Sequence, residues 1–342
     1  MNTIDDDWND FLEDNYDNKP NIADKNINKP NFSKLYISTK TKICFLTNEI
    51  DIHNIFWKLK LINYDDLQEG ILKKQIKISC LNENDVEILE NNIQNQNNKT
   101  INIVNLGKIN NPQGRIKFKD IRKISIGLCK KDLINTRTKV KSAFYNCFVL
   151  VIRLLFNNIY KEIHVKVFNT GKLEIPGIQS DTMLFKILDY VKNYLIEFYP
   201  NIDYKKENET VLINSNFNCG FYLDRDKLFN ILRYDYNINS CYDPCSYPGI
   251  QSRFYYDIDY DIINQTGLQK NNCNQNKISF MIFRTGSILI VGKCDDDIIY
   301  YIYDFIKKII EKEFSIICNH INNNKKEISN KKSKKKIITF IS

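Results

Sequence analysis

Apolar and polar residues alternate with a period of two through much of this chain, and a few stretches switch to the period of a helix. The first strand signal is "KLYISTKTKICFLT", from Lys34. In "DIHNIFWKLKLI" the residues Ile52, Ile55, Phe56 and Leu59 fall at i, i+3, i+4 and i+7, which predicts one apolar helical face. Alternation resumes in "ILKKQIKISC". Residues 82–115 are rich in Asn and weak in pattern, and they read as an insertion or long loop. "RKISIGL", "FYNCFVLVIRLLF" and "EIHVKVFNTGKLEIPG" predict further strands. A closing helix follows in "SDTMLFKILDYVKNYLIEF", with Ser180 or Asp181 as its N-cap.

The second half repeats this plan. "TVLINSNFNCGFYL" predicts a strand and "DRDKLFNILRY" a short helix. "YDPCSYPGIQSRFYYD" leads into another strand, and a polar loop covers 261–276. "KISFMIFRTGSILIVG" predicts a hairpin, and "DDDIIYYIYDFIKKIIEKEF" a closing helix. Aligned without gaps at an offset of 115, residues 167–195 and 282–310 share nine identities, among them Phe168/Phe283, Gly171/Gly286 and Gly177/Gly292. An internal duplication explains this better than independent convergence on a hairpin and helix.

Strand parity assigns faces. In the first copy Val165, Val167, Leu173 and Ile175 share one side, suited to packing on the closing helix. His164, Lys166, Phe168, Lys172, Glu174 and Pro176 share the other, a polar side with one aromatic. In the second copy Phe283 shares its side with Met281, Leu289 and Val291, while Phe280, Ile282, Ile288 and Ile290 pack behind. The copies are therefore not equivalent.

Composition adds a class. The 342 residues carry a net charge of +8, unevenly placed. Seven acids and one base fall in the first 20 residues, while "KKSKKK" at 331–336 holds five lysines. The stretch 1–33 reads as a disordered acidic tail and 320–342 as a basic one, able to contact nucleic acid or serve as an address. Ten cysteines include no CxxC pair, which argues against a zinc site. Neither a signal peptide nor an apolar run of membrane-spanning length is evident, so an intracellular protein with reduced thiols is expected. No phosphate loop, paired-carboxylate motif or nucleophile elbow appears. With three histidines in all, neither an enzyme nor a cofactor is expected. The acids at 295–297 fit a helix start better than a metal site.

"YDPCSYPGIQSR" (242–253), "FMIFRTGSILIVG" and "GFYLDRDKLFNIL" together resemble the TATA-box-binding protein (TBP) family. The resemblance covers about 34–200 as repeat one, with the insertion near 82–115, and 205–315 as repeat two. Divergence and a codon-biased composition fit the TBP-like proteins of large DNA viruses, mimivirus type. The resemblance implies an α+β fold: a saddle in which two pseudo-symmetric repeats form one curved antiparallel sheet, with helices on the convex face.

It also implies a function, a transcription initiation factor binding and bending AT-rich double-stranded promoter DNA through the minor groove. The expected partners are that DNA, a viral RNA polymerase and initiation-factor-like proteins, with no membrane. The expected compartment is the host-cell cytoplasm (the viral factory) or the virion, with the nucleus as an alternative. Carried over residue by residue, the wedges are Phe168 and Phe283, with Tyr247 at a third wedge position and Phe148 or Phe144 at the fourth. Arg253 and Arg153 become phosphate contacts, as do Lys166 and Lys172, and Asn214 and Asn216 reach the groove floor.

Several positions depart from the family. Glu174 and Pro176 stand where the first repeat should meet DNA, Val291 replaces a threonine and Ser287 a lysine. Glu174, the apolar face of repeat two and the insertion near 82–115 support an alternative, a TBP-like interaction scaffold with weak or no sequence-specific DNA binding.

Overall fold

The computed structural model describes residues 29–96, 100–134, 144–270 and 274–319. The chain forms an α+β protein divided into two compact units, the first spanning Thr39–Val211 and the second holding residues 29–38 and 212–319. Most of the expected acidic tail and all of the basic tail at 320–342 lie outside the described residues. Residues 29–33 are the exception. Asn31 and Ser33 donate their backbone N–H groups to the carbonyls of Cys219 and Asn218, so this part of the predicted tail is fixed in the second unit.

The first unit is an antiparallel sheet ordered β3-β4-β2-β5-β6-β7-β1. Its strands are β1 (Tyr36–Leu46), β2 (Gly70–Cys80), β3 (Ile101–Asn110), β4 (Phe118–Gly127), β5 (Cys147–Phe156), β6 (Ile159–Phe168) and β7 (Lys172–Ile178). Helix α1 (Ile52–Lys58) buries Ile52, Ile55 and Phe56, the stripe its spacing predicts, and Asp51 caps it by accepting from Asn54 N–H. The long closing helix α4 (Asp181–Leu195) is capped by Ser180 and buries Met183, Leu184, Ile187, Leu188, Val191 and Leu195. Residues 82–115 are not a loop. They begin with α2 (Glu83–Gln94), capped by Asn82, and continue into β3. Asn is a good N-cap because its side chain accepts from the first-turn N–H groups, so an Asn-rich stretch of weak periodicity can still start a helix. The short α3 (Lys130–Ile134) follows β4.

The second unit is ordered β8-β12-β11-β10-β9. Its strands are β8 (Tyr204–Asn218), which enters the unit at Leu212, β9 (Asn239–Cys241), β10 (Ile250–Asp257), β11 (Gln275–Ile282) and β12 (Ser287–Gly292). Helix α5 (Arg225–Asn230) runs into a π-turn at Ile231–Asp235. The closing helix α6 (Asp296–Lys312) buries Ile299, Ile302, Ile306, Ile309 and Ile310, and α7 (Phe314–Ile317) follows it. Among the described residues no helix is long and apolar enough to cross a membrane.

The two hairpins share their local geometry. Gly171 and Gly286 have φ of +76° and +81°, the left-handed region in which only glycine is unstrained. Each donates its N–H to the carbonyl three residues back, Phe168 or Phe283, and accepts from the end of a neighbouring strand, Leu46 or Cys219. A Cβ at either glycine would meet a backbone oxygen at 2.3 or 2.5 Å. Gly177 and Gly292 differ: Gly177 has φ of +84°, whereas Gly292 is needed for space, with Ile278 Cδ1 2.5 Å from where a Cβ would stand.

Candidate nucleic-acid interface

In each unit the helices pack on one face of the sheet, except the short α3, which lies on the other face of the first unit. Val165, Val167, Leu173 and Ile175 lie in the first unit's core, and Phe280, Ile282, Ile288 and Ile290 in the second's. Parity predicted both sets. The opposite faces hold most of the candidate site residues.

The second unit's helix-free face is built from two rows in register across five strands. One row is Asn239, Arg253, Ser279, Val291 and Asn214, and the next is Cys241, Gln251, Met281, Leu289 and Asn216. Arg253 and Gln251 are exposed at one side, and Asn214 and Asn216 are half-buried at the other. The strands thus set amide groups and a guanidinium around an apolar centre. That centre is the separate cluster Met281, Phe283 and Leu289, joined by Tyr247 and Val291.

Phe283 does not project from this face. It is only 4% exposed, its ring centroid lies 5.9 Å from that of Tyr247, and a Cβ on Gly249 would stand 2.7 Å from its Cε1. The loop carrying Tyr247 and Gly249 therefore roofs the ring. Arg225 holds that loop, donating from Nη1 to Pro248 O and stacking its guanidinium 5.3 Å from the Tyr242 ring centroid. The wedge role expected of Phe283 and Tyr247 thus requires this loop to lift.

The first unit's other face, on which α3 sits, is basic. Lys166 and Glu174, opposed in the β6–β7 register, form an ion pair of 2.6 Å. Glu174 therefore meets a cation on its own sheet, which answers the repulsion that its sequence position predicts. Lys172 places its ammonium 4.5 Å from the Phe168 ring centroid, and Phe168 is only 8% exposed. Strand β2 adds Lys73 and Lys77, and β4 adds Lys123 beside Lys77. Sequence reading missed these three lysines. Their signal was the alternation of Lys73, Gln75 and Lys77 against Lys74, Ile76 and Ile78 in β2, once β2 is known to pair with β5.

Two expected contacts are corrected. Phe148 is fully buried in the first unit's core, 6.3 Å from the Phe56 ring centroid, and offers no surface to DNA. Phe144, the alternative at that wedge position, is 52% exposed. Arg153 is 6% exposed; its Nη1 donates 2.8 Å bonds to the carbonyls of Tyr64 and Asp66, its guanidinium stacks on Tyr64, and Nη2 lies 3.8 Å from Glu162. It staples the chain before β2 to the sheet. Strand β5 is apolar on both faces, so parity alone could not assign Phe148 or Arg153.

A sheet backed by its longer helices on one side and patterned on the other places the chain among open-faced α+β proteins. A protein of Acanthamoeba polyphaga mimivirus called "TATA-box-binding protein-like" is 26% identical over 204 residues, 55% of this chain and 54% of that protein. This bears out the resemblance to the TBP family in its giant-virus form, and the chain spans about half the length of the relative it matches. Among solved structures, Methanococcus jannaschii TBP aligns with 83% of this chain and 100% of its own, at 11% identity and a TM-score of 0.39. No family model matches the chain.

Proposed function

We propose that this chain is a TBP-like transcription initiation factor that binds AT-rich promoter DNA through the minor groove and bends it, serving a viral RNA polymerase. The saddle implied by the resemblance is part of the proposal, and no catalytic step enters it. The observation that carries the reading is the pair of registered rows on the second unit's helix-free face. Amides at Asn214 and Asn216 suit the N3 and O2 acceptors that A·T pairs present on the groove floor. Val291 suits a sugar wall, Met281 and Leu289 join it once the loop over their cluster lifts, and Arg253 suits a phosphate. TBP is itself the type example of a duplex kinked from the minor groove by apolar wedges. The test is gel shift with end-to-end energy transfer on AT-rich and GC-rich duplexes at low salt. Binding with bending on the AT-rich duplex is expected, and equal behaviour on both sequences would refute the reading.

A second reading, an interaction scaffold, is favoured by the covered state of Phe168 and Phe283. It predicts capture of initiation-factor-like partners unchanged by Phe168→Leu and Phe283→Leu, with no bending of either duplex.

A further inference from the structure

The first unit's basic face carries a covering of its own. Val151 points away from the core and yet is 1% exposed, and its row neighbour Lys73 is 8% exposed. Among the described residues, the two ends of the β4–β5 connection reach side chains of this face. At the first end, Lys73 Nζ meets Asp132 Oδ1 at 2.6 Å, the Cys129 thiol and backbone N–H both donate to Asp132 Oδ2, and Lys130 N–H donates to Glu162 Oε2 at 2.8 Å. At the second end, Lys77 Nζ lies 3.8 Å from the Tyr145 ring centroid and Lys166 Nζ lies 5.7 Å from that of Phe144. Both ends thus engage lysines of the face the DNA reading needs. One end offers a carboxylate to a buried ammonium and the other offers aromatic faces, the same two chemistries, anion and stacked ring, that a nucleic acid presents.

We propose that the two ends of the β4–β5 connection, residues 128–134 and 144–146, act as an intramolecular competitor that occupies the first unit's basic face until duplex DNA displaces it. The inference rests on the DNA reading above. Its energetic form is a population tax: apparent affinity falls by the fraction of molecules whose face is open. Freeing either end should raise that fraction.

Two variants test this on the full chain, one for each end. Asp132→Asn removes the carboxylate held by Lys73, and Tyr145→Ser removes the ring stacked on Lys77 while leaving that ion pair and the wedge candidate Phe144 intact. Circular dichroism confirms that each folds. Two readouts follow, affinity for an AT-rich duplex and mass-spectrometric alkylation of the buried thiol at the opposite end. That thiol is Cys147 for Asp132→Asn and Cys129 for Tyr145→Ser, each 3% exposed. The expected result is duplex binding about fivefold or more tighter than wild type, with faster labelling of the opposite thiol. Wild-type binding that both folded variants merely equal or fall below overturns the competition. If no chain binds duplex, the DNA reading itself falls and the competition with it, while the labelling separately shows whether the connection moves as one piece.

Discussion

Lys166 Nζ lies 2.6 Å from Glu174 Oε1 across the β6–β7 pair, so an acid that reads as hostile to DNA is already answered by its neighbour. The pair cancels its own field at the surface, and neither partner is then fully available to a phosphate. Glu174→Gln should release Lys166 to act as a phosphate contact. Affinity for duplex should rise, and the slope of log K against log[salt] should steepen by about 0.9, the worth of one neutralised phosphate. Binding titrations at three or four salt concentrations check this. An unchanged slope would mean that Lys166 stays away from the backbone even when free.

The two arginines assigned to phosphates have different surroundings and should behave in opposite ways. Arg253 is exposed on β10, so Arg253→Gln should leave the unfolding free energy within about 0.5 kcal/mol and flatten the salt slope by about 0.9. Arg153→Gln should strand the carbonyls of Tyr64 and Asp66 and cost about 2 kcal/mol, with the salt slope untouched. Urea melts beside salt-dependent binding separate the two roles.

Much of the local architecture was legible because it depends on near neighbours. The stripe Ile52, Ile55 and Phe56, the cap at Ser180 and the paired glycines Gly171 and Gly286 are all set by spacing of a few residues. Parity also sorted Phe280 from Met281 and Val167 from Lys166, since β6 and β11 each bury one face in a helix-backed core. Parity failed on β5, where both faces are apolar and alternation vanishes. It also failed wherever burial comes from distant chain. The loop over Phe283 depends on the absence of a side chain at Gly249, and the shielding of Lys73 depends on Asp132 reaching it. Neither contact leaves a period in the sequence.

Gly249 offers a direct test of the roof over Phe283. Gly249→Ala would place a methyl 2.7 Å from the Phe283 ring, closer than packed atoms allow, so either the ring or the loop must shift. Overpacking of this kind costs about 1–3 kcal/mol. The loop, held by Arg225 and Tyr242, is the softer of the two, and its displacement should expose Phe283. The expected outcome is a lower unfolding midpoint together with stronger bending of AT-rich duplex. A stability loss with bending abolished would show that the roofed arrangement is the active one.

His164 reports the state of the first unit's covered face through pH. It stands opposite Val151 in the β5–β6 register. Burial holds its pKa down at about 4, helped by the charges of Lys131, Lys73 and Lys166 and opposed by that of Asp132. The folded ring therefore stays neutral in a range where the unfolded ring, with an ordinary pKa of 6.5, takes up a proton. Between those values the unfolded chain binds more protons than the folded one. Stability must then rise with pH across this window and be lost as pH falls from 6.5 toward 4. At 1.36 kcal/mol per unit, the loss attributable to His164 at pH 4.5 should approach about 2 kcal/mol. Carboxylates titrate in the same window, so the measurement is a difference. Urea unfolding of wild type and His164→Gln at pH 7 and pH 4.5 should show wild type losing more, by about that amount. In the Tyr145→Ser chain, which keeps Asp132 and loosens the cover, water should reach the ring and the excess loss should shrink. An excess that persists in full would place the burial of His164 in the sheet itself and not in the connection lying across it.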